Sequence, residues 1–179
     1  MARLTRISLG ANFYRIPAAL ALLGVLGACE TTTITQKNKG RPADETRSAL
    51  FDSRPAMMFS AAQAACSGPG ERFVRPAPGV AQCQLLMDPQ TTAAIILGFD
   101  GAVEDLPRLV ISLSETQLGD GWIVTGCAFL KIPMKDGRIR RVIQSDPRVR
   151  AKITEMLTRM GGTPTDAVPA DVAERCFDV

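Results

Sequence analysis

The sequence predicts a small α+β domain: an antiparallel sheet with a three-stranded meander over about 108–143, one or two further strands, helices packed on it, and two disulfides. Three observations point there. Asp120-Gly121 and Asp136-Gly137 each sit between apolar runs, the strongest short-range hairpin signal. Asp146-Pro147 opens a helical stretch with Val149, Ile153, Met156, Leu157 and Met160 on one stripe and Gly161-Gly162 at its end. Cys66, Cys83, Cys127 and Cys176 form an even set able to staple such a domain.

Parity sharpens the meander. With each Asp-Gly pair as a two-residue turn, Leu109, Ile111 and Leu113 share a face with Trp122, Val124, Ala128, Leu130 and Ile132. Ile139 and Ile143 join that face across the second hairpin, which makes it the core side. Cys127 falls on the opposite face with Thr125 and Phe129.

Upstream, Ser53 or Arg54 as cap and Pro55 near the first helical position open an alanine-rich helix to Cys66, with Gly68 as its stop. Met58 and Phe59 belong to the core by this reading, as does Met57. Glu71 to Arg75 and Val80 to Met87 are strands around Pro76-Ala77-Pro78-Gly79, with Ala81, Cys83, Leu85 and Met87 on one face. Residues 91–99 stay open, because Asp88-Pro89 favours a helix while Thr and Ile favour a strand. Ala170 to Cys176 forms a last helical turn. Of the three possible pairings, Cys66 with Cys83 and Cys127 with Cys176 is favoured, since the first closes a short loop; the second folds the C-terminal segment over the sheet's other face.

The start of the chain carries a different signal. Arg3, Arg6 and Arg15 precede an apolar run from Ala18 to Gly27, too short for a lasting membrane span of about 20 residues. The run ends in Leu26-Gly27-Ala28-Cys29, which resembles the lipobox of bacterial lipoproteins. That resemblance implies a signal peptide over 1–28, acylation of Cys29 and a lipid-anchored domain in the envelope. Glu30, in place of the aspartate linked to inner-membrane retention in enterobacterial lipoproteins, implies the outer membrane. Residues 29–53 are polar and lack apolar periodicity, so they read as a flexible tether, with Ala49 to Phe51 the stretch able to dock as a short turn. About 20 such residues span roughly 25 Å. The globular domain is then 54–179.

Charge and composition exclude more than they assign. The chain has 21 basic and 18 acidic residues, and the leader's three arginines account for the whole excess. The remainder is neutral, which argues against nucleic acid as a partner. There is no histidine, so the usual catalytic triads and most transition-metal sites are excluded. The cysteines lack paired metal-ligand spacing, and no S-x-x-K motif occurs. No catalytic residue, metal or cofactor is assigned, and Asp100, Glu104 and Asp105 read as a solvated acidic loop.

Lys131 to Lys152 is locally basic, and Lys135, Arg138, Arg140, Arg148 and Arg150 are its candidate contacts to an anionic partner. Asp88 to Asp120 mirrors it with six acids against Arg108. The expected function is a non-enzymatic envelope lipoprotein, held to the membrane by the lipid on Cys29 and acting as an adaptor, assembly or structural component on an envelope protein. The alternative is a ligand-binding or inhibitor module for an anionic envelope molecule or a periplasmic enzyme.

Overall fold

A computed structural model describes residues 45–177. Its organising element is β5 (Gly121–Pro133), an apolar run long enough to need more than one partner along an edge. On one edge β4 (Arg108–Leu118) pairs with it throughout, from Leu118↔Gly121 to Arg108↔Lys131. The other edge is shared: β1 (Arg47–Phe51) takes Trp122 to Gly126, and β6 (Ile139–Ile143) takes Phe129 to Pro133. Beyond β4 lie β3 (Val80–Leu86) and β2 (Glu71–Val74); beyond β1 lies β7 (Thr163–Thr165). All pairings are antiparallel, giving a seven-stranded sheet.

Helices α1 (Met58–Ala65) and α3 (Pro147–Arg159) cover one face. Met58, Phe59, Ile153 and Leu157 pack there on Ala49, Phe51, Ala81, Leu113 and Val124. Just after α2 (Pro89–Phe99), Gly101 bridges to Met134 at the end of β5, close to Ile132. On the other face, the segment after α4 (Ala170–Glu174) packs Cys176 and Phe177 against Val110, Cys127 and Phe129, with the two Phe rings 5.9 Å apart. Both favoured disulfides are present, Cys66–Cys83 tying α1 to β3 and Cys127–Cys176 tying the C-terminal segment to β5.

Several expectations are corrected. Residues 47–51 are no tether: β1 is an inner strand, and Ala49 is wholly buried. Polar Arg47 and Ser48 hid it, because a five-residue strand bonded on both edges needs little apolar periodicity of its own. Strand β7 is three residues with Pro164 at its centre, which an edge strand tolerates and no local apolar alternation announces. Helix α1 starts later than Ser53, with Met57 at its cap and no side-chain capping bond, and Met57 is exposed, not core. Segment 89–99 is a helix: the Asp88 carboxylate accepts the Thr91 N–H, Pro89 sits in the first turn, and Asp100 closes it in the left-handed conformation.

The two hairpins depart from Asp-Gly geometry in instructive ways. In the first, Gly119-Asp120 forms the two-residue turn, with positive φ at Gly119 alone. That moves the register by two positions and leaves the expected faces intact. In the second, Met134 N–H donates to the Arg138 carbonyl, Gly137 N–H donates to the Met134 carbonyl, and Gly137 has φ 80°. The loop therefore holds three residues, Lys135 to Gly137, the geometry of a turn followed by a glycine bulge. One extra residue inverts every side chain of β6, so Ile139 and Ile143 lie opposite Pro133 and Phe129 on the other face.

Candidate functional site

The five cations singled out in the sequence do not form one field. Lys135, Arg138 and Arg140 stand on the β5–β6 hairpin, whereas Arg148 and Arg150 stand on the first turns of α3. Lys135 pairs with Asp100 of the acidic loop. Arg138 pairs with Asp136 at 2.6 Å; that bond, first of all, holds the Asp136 carboxyl below its usual range and raises Arg138. Arg150 reaches Glu45 at 2.9 Å in a partly buried pair. The Arg140 guanidinium lies 4.9 Å from the Phe99 ring centroid. Arg148 borders an apolar hollow with Ile111, Val149 and Met156. One pair, Lys135 with Asp100, thus joins the basic stretch to its acidic mirror, while Arg138 and Arg150 are met by Asp136 and Glu45 outside that mirror.

Beside the hairpin is a surface of opposite character. Helix α2 carries no charged side chain, and Thr92 is its one buried residue. Leu97 is 84% exposed, and Val103 and Leu106 in the following loop are 64% and 40% exposed. An uncharged helix with its leucine in solvent breaks the ordinary amphipathic rule, in which the apolar side faces the core.

A third feature lies at the other end of the sheet. Between α1 and β2 a cavity of about 300 Å³ is lined by Arg54, Phe59, Ser60, Phe73, Arg75 and Glu115, among others. Glu115 projects from β4 onto the helix-covered face, opposite Val124, and its side chain is 2% exposed. Its Oε1 accepts from Arg54 Nε at 3.1 Å and also from Nη2. The Arg54 guanidinium in turn lies 5.2 Å from the Trp122 ring. Oε2 accepts from no described group. Sequence reading missed this site: Glu115 was one of the acids of the mirror segment, and Arg54 a helix cap. The usable signal was parity, which puts Glu115 in line with Leu113 and Ile111 on the core face.

Cys66, Glu71 and Cys83 also converge, with ligand atoms within 4.8 Å of one another. Both sulfurs are spent in the disulfide, and Glu71 Oε2 accepts the Gly68 N–H at 2.8 Å, so the cluster is a structural staple.

Fold and surfaces together define a disulfide-stapled α+β module, covered by helices on one face and by its C-terminal segment on the other. No family model and no curated protein matches the chain. The lipobox-like stretch Leu26-Gly27-Ala28-Cys29 lies outside the described residues.

Proposed function

We propose that this chain is a bacterial envelope lipoprotein, acylated at Cys29 and acting as a non-enzymatic adaptor through apolar protein contacts made by α2 and the loop after it. The observation that carries the contact is the uncharged helix with Leu97, Val103 and Leu106 in solvent. The anchor rests on Leu26-Gly27-Ala28-Cys29, and two disulfides fit an oxidising compartment. Two or more acyl chains hold a domain at a membrane durably, at about 0.8 kcal/mol per buried methylene. By its Glu30 the proposed site is the outer membrane, with the domain in the periplasm.

Recognition of an anionic envelope molecule is less well supported, because Lys135, Arg138 and Arg150 are engaged by carboxylates of the chain itself. The decisive test is photo-crosslinking in intact cells from position 97, with position 152 on exposed α3 as control. A discrete adduct from position 97, lost in Leu106→Glu, is the expected result. Identical adducts from both positions would refute the α2 contact. For the anchor, Cys29→Ser should abolish palmitate incorporation and membrane fractionation; unchanged fractionation would overturn it.

A further inference from the structure

We propose that the cleft between α1 and α3 binds a single-chain anionic lipid of the fatty-acid class, with its acyl chain along the sheet and its carboxylate on Arg148 and Lys152. This rests on neither the α2 surface nor the lipid anchor.

The floor of the cleft is a part of the core face that the helices leave bare. In the ladder of β3 and β4, Ala81 pairs with Leu113, and both are buried in the cluster that α1 and α3 cover. The next two pairs on that face, Cys83 with Ile111 and Leu85 with Leu109, are only half-buried. An apolar sheet face is ordinarily closed by a neighbouring element.

Three adjoining hollows occupy the space above it instead. One, of about 340 Å³, lies between Met58, Ala61 and Ala65 of α1 and Met160 of α3. A second, of about 360 Å³, opens over Ile111 between Arg148 and Met156. A third, of about 170 Å³, reaches Leu85. Met156 borders all three, and a flexible thioether is the easiest of partitions to move. From Arg148 to Met160 the α3 wall is about 18 Å long at 1.5 Å per residue, enough to lie along an extended acyl chain of medium length.

The walls select the ligand. Helix α1 carries no charged side chain, and its alanines face the cleft. The floor strands spend their backbone groups on each other, so the cleft offers a peptide few hydrogen bonds, whereas an acyl chain asks for none. Charge enters from α3. Arg148 and Lys152, one helical turn apart, together border the hollow over Ile111, and both are exposed to solvent. The Arg148 guanidinium meets no carboxylate among the described residues. Lys152 Nζ stands 3.9 Å from Glu155, which already bonds Arg159 at 2.6 Å. Two reachable cations beside an apolar cleft match a carboxylate at the end of an acyl chain. A cationic head would be repelled there.

The test uses the full chain with neutral phospholipid discs present and its methionine methyl groups labelled for NMR. Laurate below its critical micelle concentration is the probe, and dodecyltrimethylammonium offers a chain of like length with the opposite head. Laurate should shift the Met156 methyl saturably in the micromolar to millimolar range and leave Met134, on the β5–β6 hairpin, unmoved. Dodecyltrimethylammonium should bind at least about tenfold more weakly, and Arg148→Glu should weaken laurate at least about tenfold. Ala65→Trp, at an exposed position of α1, should obstruct the cleft and weaken laurate as well. No saturable shift at Met156, or equal laurate binding by wild type and Arg148→Glu, would overturn the proposal. So would the same Met156 shift on anionic discs without laurate, which would assign the surface to a bilayer.

Discussion

Gly126 of β5 and Ile153 of α3 meet so closely that a β-carbon on Gly126 would fall inside the Ile153 side chain, with Leu113 Cδ2 only 3.2 Å away on its other side. The helix rests directly on backbone at this point. Gly126→Ala therefore lifts α3 from the sheet or forces Ile153 off its rotamer, an overpacking cost of about 1–3 kcal/mol. Urea unfolding should show the lower midpoint, and Gly126→Ala combined with Ile153→Leu, which lacks the clashing Cγ2 methyl, should recover part of it. An unchanged midpoint for Gly126→Ala would mean that the helix does not seat there.

The disulfides differ in the loop they close, 17 residues for Cys66–Cys83 and 49 for Cys127–Cys176. Chain entropy gives about 3 kcal/mol for the shorter loop and about 4 kcal/mol for the longer. Replacing both cysteines of a pair by alanine should destabilise the domain in each case. The Cys127–Cys176 variant should also expose Phe129 and Phe177, read as binding of a hydrophobic dye below the thermal midpoint. Equal melting of wild type under oxidising and reducing conditions would contradict both.

The bulged second hairpin makes a prediction that a two-residue turn would not. Ile143 packs on the cluster of Val110, Phe129 and Phe177, whereas Ile139 is 45% exposed. Ile143→Ala should cost about 1–2 kcal/mol, after discounting for its partial exposure, and Ile139→Ala under about 0.5 kcal/mol. Gly137→Ala places a β-carbon at φ 80° and should cost about 1–2 kcal/mol as well. Equal effects at 139 and 143 in denaturant titrations would argue for the other register.

At the start of α2 the Asp88 carboxyl is held below its ordinary value of 3.8, first by the Thr91 hydroxyl and then by the Thr91 backbone N–H. A depressed folded value means that the contribution is present above pH 3.8 and is lost as pH falls through the folded value. NMR titration should give Asp88 a midpoint below 3.8, with amide protection at Thr91 and Thr92 declining over the same interval. A midpoint at or above that value would show that the cap does not form in solution.

What the sequence made legible were the features that repeat or carry their own local chemistry. The meander, α3 with its Asp146-Pro147 start, and both disulfides follow from periodicity, capping and cysteine parity, and they are found where expected. The missing strands are those whose identity is conferred by neighbours. Arg47 to Phe51 becomes a strand because β5 has an unfilled edge at Trp122 to Gly126, which no local pattern announces. Ile139 and Ile143 were assigned to the wrong face because a single added loop residue reverses the side-chain alternation. The cavity was hidden for a related reason: Arg54, Arg75 and Glu115 lie on separate elements, and the sheet alone brings them together. The basic stretch was conspicuous by composition, yet composition cannot tell that Lys135 faces Asp100 or that Arg150 faces Glu45.

The position of β1 has a mechanical side. A strand bonded to β5 along one edge and β7 along the other cannot be peeled from the sheet one bond at a time when it is drawn along its own axis from residue 45. Both ladders must slide at once, and the Ser48 to Thr125 hydroxyl contact with them. If tension reaches the domain from its N-terminal side, as a tether to a membrane would deliver it, the load enters at the strand best able to bear it. The resistance is set by the rate of unfolding under shear, and not by the equilibrium stability of the domain.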